Sequence, residues 1–252
     1  IEPVTPGTSE DEPTGLPLNN ARTSRTYRRN SKPAIYYYQI ALKTGINRIH
    51  DMARRLGLGD VSTLGLISEK EGIIPNRDWK LEKRGVVWTP GETVVAGIGQ
   101  GFVLTTPLQL ALMTARIANG RSAITPTLTT PQMTEASPSF PPLDVSPDII
   151  RFLHKSMRKV MAGGLGTARK HDINQGMAGK TGTVQVKRIT KEQREKGIID
   201  NIDRPWKERD HALFVAFAPY KNPRYAISVI VEHGGSGSSA AFLYGMIQNH
   251  HP

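Results

Sequence analysis

The chain contains no cysteine. That excludes disulfides, thiolate metal ligands and a cysteine nucleophile, and fits an oxidising or a reducing compartment equally well. Long apolar runs are missing too, since none approaches the roughly 20 residues that span a bilayer. The opening stretch "IEPVTPGTSEDEPTG" is acidic and rich in Pro and Thr, the opposite of a secretion signal. A segment cut from an upstream anchor would read the same way. Neither H-E-x-x-H nor a carboxylate cluster at metal spacing occurs, so no metal is expected. "GIGQG" (97–101) lacks the context of a dinucleotide loop and reads as turn glycines before a helix, so no cofactor is expected either.

Acidic residues are in deficit. The 22 Asp+Glu stand against 33 Lys+Arg, and a net charge of +11 favours an anionic neighbour. The basic residues are scattered over "RTSRTYRR" (22–29), "ARRLG" (53–57) and "KRITKEQREK" (187–196), and no zinc-finger or RNP-like signature accompanies them. A solvated basic surface is expected, without nucleic-acid binding.

What is present divides by period. Residues 1–33 have little apolar spacing and read as an extended or poorly ordered lead-in to a domain over 34–252. Next come apolar residues at Ile35, Tyr38, Ala41 and Leu42, then at Ile46, Ile49, Met52, Ala53 and Leu56. They predict two helices, broken at Thr44-Gly45 and stopped by Gly57 and Gly59. Residues 60–96 read as loops with short extended pieces. Thr105-Thr106-Pro107 opens a buried helix that Asn119-Gly120 closes. After a Pro/Thr/Ser-rich connection (121–147), "PDIIRFLHKSMRKVMAGG" restarts helical spacing.

The last third alternates. "GTVQVK", "HALFVAFAP" and "YAISVIVEH" have strand length and composition, with a highly charged insertion at 188–210 as a long loop between the first two and "YKNPR" (220–224) as the turn between the last two. "SSAAFLYGMIQNHH" predicts a closing helix capped by Ser238 or Ser239. The fold class is α+β: an antiparallel sheet flanked by helices, with a mainly helical part over about 34–163 and a sheet part over about 176–252.

"MAGKTGTVQV" (177–186) carries the chemistry. A lysine supplies positive charge, threonine hydroxyls donate to a carboxylate, and glycine lets another backbone come close. An edge strand beside such a motif can pair with an extended peptide. "AGKTGTVQV", "RDHALFVAFAPYKNPRYAISVIVEHGGSGSSAA", "WTPGETVVAGIGQGFVLTTPLQLALMTARIANG" and "YYYQIALKTGINRIHDMARRLGLG" together closely resemble one family. It is the class B penicillin-binding proteins of the cell-elongation type, the peptidoglycan D,D-transpeptidases. The likeness runs from Ile35 to Ala241.

The resemblance implies serine acyl transfer between stem peptides, inhibition by β-lactams and the penicillin-binding transpeptidase fold. It also implies a place at the periplasmic face of the bacterial inner membrane, beside membrane proteins of the elongation complex. Carried over by motif, Lys180, Thr181, Gly182 and Thr183 form the catalytic strand. Lys180 would bond the serine of the middle motif, Thr181 and Thr183 would take the substrate carboxylate, and the Thr183 N–H would face the oxyanion. Ser31, Thr181, Thr183 and Gln185 would contact substrate, which pairs along 183–187.

The sequence departs from the family's pattern in two places. Its one S-x-x-K is "SMRK" (Ser156–Lys159), shortly before K-T-G-T, where the resemblance aligns a different helix. Ser156 therefore reads as an ordinary helix-face residue. Before "YYYQ" stands "NSKPAI", and an ungapped alignment puts Lys32 where the middle serine falls, with Ser31 beside it. The first expectation is that the chain is the second part of a transpeptidase domain, its nucleophile-bearing portion removed and the flanks joined. The nucleophile would then precede residue 31 in the native gene. The alternatives are a degenerate homologue kept as a scaffold, or a different residue as nucleophile. Of the histidines, His50, His154 and His171 read as surface positions and His250-His251 as a terminal tail. His211 and His233 read as strand-end residues with a structural role.

Overall fold

A computed structural model describes residues 25–62, 64–128, 140–162, 164, 166–169, 172, 176–187, 195, 197 and 199–241, with side chains from residue 35 onward. Residues 1–24 of the lead-in, His171, His250, His251 and all of the closing helix past Ala241 lie outside the described residues. The chain divides into two compact units, Ile1–Asp51 with Pro75–Val103, and Met52–Ile74 with Leu104–Pro252.

The first unit is helical. α1 (Arg25–Thr44) begins earlier than the sequence suggests: residues 25–33, expected in the extended lead-in, are helical. Arg, Tyr and Lys in that stretch are fair helix formers, and Pro33 removes one backbone donor without ending the helix. Gly45, at φ +80°, breaks the chain as expected before α2 (Ile46–Arg55).

Two further helices occupy the stretch read as loops, α3 (Arg77–Arg84) and α4 (Pro90–Ala96). Their signal lies in caps, since "RDWKLEKR" is too charged to show an apolar stripe. Asn76 accepts from the Trp79 N–H at 2.7 Å and Gly85 closes α3 in the left-handed region. Thr89 and Glu92 form a capping box on α4. Lys80 is buried, donating to Glu92 at 2.6 Å and to the Val87 carbonyl at 2.8 Å, so its charge is paired on entering the core. α1 packs on α4 where Gly97 comes up against Ala41.

The second unit holds the sheet. α5 (Pro107–Asn119) starts with a Thr106–Gln109 capping box and ends at Gly120, as the sequence predicts. Buried Gln109 also donates to the carbonyls of Asp60 and Glu71, fastening the 60–71 loop to the helix. α6 spans Pro147–Ala162. Its His154, read as a surface position, is half-buried instead: its Nε2 lies 2.8 Å from the Ile117 carbonyl and its ring stacks on Phe217.

β1 (Ala178–Val184), β2 (His211–Ala218) and β3 (Tyr225–Val231) form an antiparallel sheet in the order β1-β2-β3. Thr181 faces Phe214, which faces Val229. Alternation gives the sheet two apolar faces. Ala212, Phe214 and Ala216 pack with Met161, Met177, Ala240 and Ala241, while Ala178 and Phe217 pack with Ala118, Met157 and Tyr220. Helices on both faces leave the K-T-G-T strand at the sheet's edge. No helix among the described residues is long and apolar enough to cross a membrane.

Phe214 is fully buried at the centre of the first face. Phe214→Ala is expected to lower unfolding stability by about 3–5 kcal/mol, measured by urea denaturation followed by circular dichroism.

Candidate active site

The site is built on β1, and β1 is fixed by close approach. Gly179 is buried, and a Cβ there would lie 2.9 Å from the Phe214 ring and 2.8 Å from the Val215 carbonyl. Only glycine lets β1 lie flat on β2 at this point. The approach to the strand is held by α6: Arg158 donates to Asp172 at 2.7 Å and to the Met177 carbonyl at 2.8 Å, and Asp172 accepts the Met177 N–H. The far end is held by buried Asp210. Its carboxylate accepts from Val186 N–H at 3.4 Å and from Asn201 Nδ2 at 2.8 Å, with Arg204 at 3.5 Å.

Between these anchors the motif residues alternate. Lys180 and Gly182 share one face, Thr181 and Thr183 the other. Lys180 is an exposed residue, but its ammonium folds back onto the Thr181 carbonyl. Desolvation there lowers its pKa from the usual 10.5. Thr181 Oγ1 lies 2.9 Å from Thr167 Oγ1, and Thr183 Oγ1 accepts the Gly237 N–H at 3.1 Å. Gly237 is buried flat against Gly182: a Cβ on it would meet the Gly182 carbonyl oxygen at 2.3 Å.

A three-stranded order that ends in β1 leaves its outer edge without a strand partner among the described residues. An edge strand with a lysine, two hydroxyls and a glycine can add an extended peptide and hold an anion at its end.

Comparison with known proteins decides the lineage. A family model described as the penicillin binding protein transpeptidase domain matches residues 18–246. The chain belongs to this family. Peptidoglycan D,D-transpeptidase MrdA of Acinetobacter baumannii is 36% identical over 219 residues, covering 82% of this chain and 31% of that protein. MrdA of Salmonella typhimurium is 32% identical over 226 residues, covering 85% and 36%. Pseudomonas aeruginosa PBP2 in complex with WCK 5153 superposes at a TM-score of 0.69 with 38% identity, over 88% of this chain and 46% of that one. PBP2 of Helicobacter pylori, solved in complex with MreC, gives 0.72 at 30% identity, over 90% and 39%. This transpeptidase-family chain thus spans about a third of the length of its curated relatives. The elongation-type resemblance and the α+β fold both hold.

Of the residues singled out in the sequence, Lys180, Thr181, Gly182 and Thr183 fall together on β1, while Gln185 is exposed just beyond it. The strand ends at Val184 rather than at 187, because the Asp210 carboxylate takes the Val186 amide. Ser31 lies in α1, in the other compact unit, and its side chain is outside the described residues. Ser156 lies half-buried in the second half of α6, not at the head of a helix. Three contributors had no sequence reading: Thr167, Arg158 and Asp210. Gly237 lies in "GGSGSS" (234–239), a Gly/Ser run whose sequence reads as a loop that could bound a cleft.

Two outcomes are expected. Gly237→Ala should destabilise by about 1–3 kcal/mol in denaturant unfolding, since strand backbone cannot yield to the new methyl. Lys180 should titrate below 10.5 when followed through its 13Cε signal. Its attraction for a carboxylate is then complete below that midpoint and fades as pH rises through it.

Proposed function

We propose that this chain works as a peptidoglycan D,D-transpeptidase domain of the elongation type. The observation that carries the reading is a K-T-G-T edge strand, anchored at both ends, in a chain of MrdA lineage. A stem peptide ending in D-Ala-D-Ala adds to the outer edge of β1. Its terminal carboxylate meets the Lys180 ammonium and the hydroxyls of Thr181 and Thr183, with Gln185 as a further contact. A serine hydroxyl attacks the penultimate D-Ala carbonyl, and the Thr183 N–H donates to the oxygen as it gains charge. The terminal D-Ala leaves as its amine. An amine of a neighbouring stem peptide then attacks the ester, forming the cross-link and freeing the serine. β-Lactams enter by the same edge and stop at the acyl stage. The PBP2–MreC complex of Helicobacter pylori supports a partner protein of that kind for this chain, and the expected setting is the outer face of the inner membrane beside elongation-complex proteins.

A second reading, a non-catalytic scaffold of the same machinery, draws support from the position of the one S-x-x-K, within α6 and away from any helix start. Fluorescent penicillin separates the two. The catalytic reading expects a stoichiometric adduct that survives denaturation, with peptide mapping naming the serine. Formation should slow by about 100-fold in Lys180→Ala, the scale of losing one charge-stabilising donor. No adduct at saturating penicillin would remove catalysis from this chain and favour either the scaffold reading or a nucleophile supplied from outside this sequence.

A further inference from the structure

After β3 the chain turns back across the start of β2 and onto β1, held by alternate backbone amides. The His233 N–H donates to His211 Nδ1 at 2.9 Å, the Gly235 N–H to the Asp210 carbonyl at 2.8 Å, and the Gly237 N–H to Thr183 Oγ1 at 3.1 Å. His233 itself sits at φ +55°, a conformation that a non-glycine residue seldom takes and that this segment enforces. The third of these bonds ends on the K-T-G-T strand; the first ends on an imidazole.

The partners fix the tautomers. His211 Nδ1 accepts an N–H, so its neutral ring carries the proton on Nε2. His233 Nδ1 lies 3.0 Å from the Arg209 carbonyl, which can only accept, so that nitrogen carries a proton. The two rings meet edge to face at 4.8 Å, and Trp206 covers His233 at 4.4 Å. A proton on His211 Nδ1 would point at the His233 N–H and remove the acceptor.

We propose that residues 233–237 are an acid-releasable strap over the K-T-G-T strand: protonation of His211 unfastens His233 and loosens Gly237 from Thr183. Every group around the imidazole bears on the pH at which this happens. Burial of His211 opposes its charge most, and His233 opposes it next. Glu232 at the end of β3 and Asp210 at the head of β2 favour it, with Arg204 from the 199–209 loop partly offsetting Asp210. On β1 the residue opposite is Val184, which carries no charge. The balance lowers the His211 pKa below 6.5. The released state therefore binds more protons than the fastened one as pH falls below 6.5, and the strap's stability is lost through the lowered value. This titration is independent of what the strand binds.

The test is amide hydrogen exchange on the full chain from pH 7.5 to 5, corrected for intrinsic rates, together with 15N imidazole shifts. The amides of His233, Gly235 and Gly237 should lose protection relative to Phe214 by up to about tenfold per pH unit between 6.5 and the lowered midpoint, and level off below it. His211 should show the Nε2–H tautomer at neutral pH and titrate with that same midpoint. In His211→Gln, whose side-chain oxygen accepts without titrating, strap protection should be flat with pH. Unchanged wild-type protection, an equal loss in His211→Gln, or a proton on Nδ1 at neutral pH would overturn the proposal. Should His211→Gln not fold, separate midpoints for the imidazole and the strap amides in the wild type overturn it, and one shared midpoint upholds it.

Discussion

The site depends on backbones lying closer than side chains permit. β1 rests on β2 because Gly179 has no Cβ to strike Phe214, and the chain after β3 rests on β1 because Gly237 has none to strike Gly182. Once those contacts are made, the rest of the motif has little freedom. Lys180 and Gly182 fall on one face, Thr181 and Thr183 on the other, and no strand among the described residues pairs with the outer edge. A side chain at either glycine would lift one layer off the next and move the Thr181 and Thr183 hydroxyls.

Charge is used to hold this packing at its ends rather than at its centre. Arg158 and Asp172 pin the approach to β1, and Asp210 gathers the strand's end, the 201–204 turn and the strap around one carboxylate and its backbone. Both pairs are partly buried, where screening by salt is weak and a lost partner is costly. The centre of the strand is left with a single cation, Lys180, whose partial desolvation would strengthen its pull on any carboxylate placed beside it. That division holds the strand still at both ends and leaves its centre uncommitted.

Much of this was legible in the sequence, and the gaps have physical causes. The alternating runs gave the strands and their antiparallel order, and Thr106-Pro107 and Gly120 marked α5 from cap chemistry alone. α3 and α4 were missed because short, charged helices carry their signal in Asn76, Gly85 and the Thr89–Glu92 box instead of in apolar spacing. The early start of α1 was hidden by Pro33, which weakens a helix without forbidding it. At the site, K-T-G-T named its own strand. Asp210 and Arg158 are single polar residues whose partners are far off in sequence, and no local pattern announces such pairs. The His211–His233 contact had the same obscurity: two histidines at strand ends become neighbours only through the register of β2 with β3.

The central claim is that the open edge of β1 receives a peptide and that Lys180 with its neighbouring hydroxyls holds the peptide's terminal carboxylate. Intermolecular NOEs between this chain and an acyl-D-Ala-D-Ala peptide test it most directly. The account predicts contacts from the peptide backbone to Lys180–Val184 in antiparallel order, and their loss when the peptide's C-terminus is amidated. Contacts to another part of the chain, or binding that ignores amidation, would contradict it.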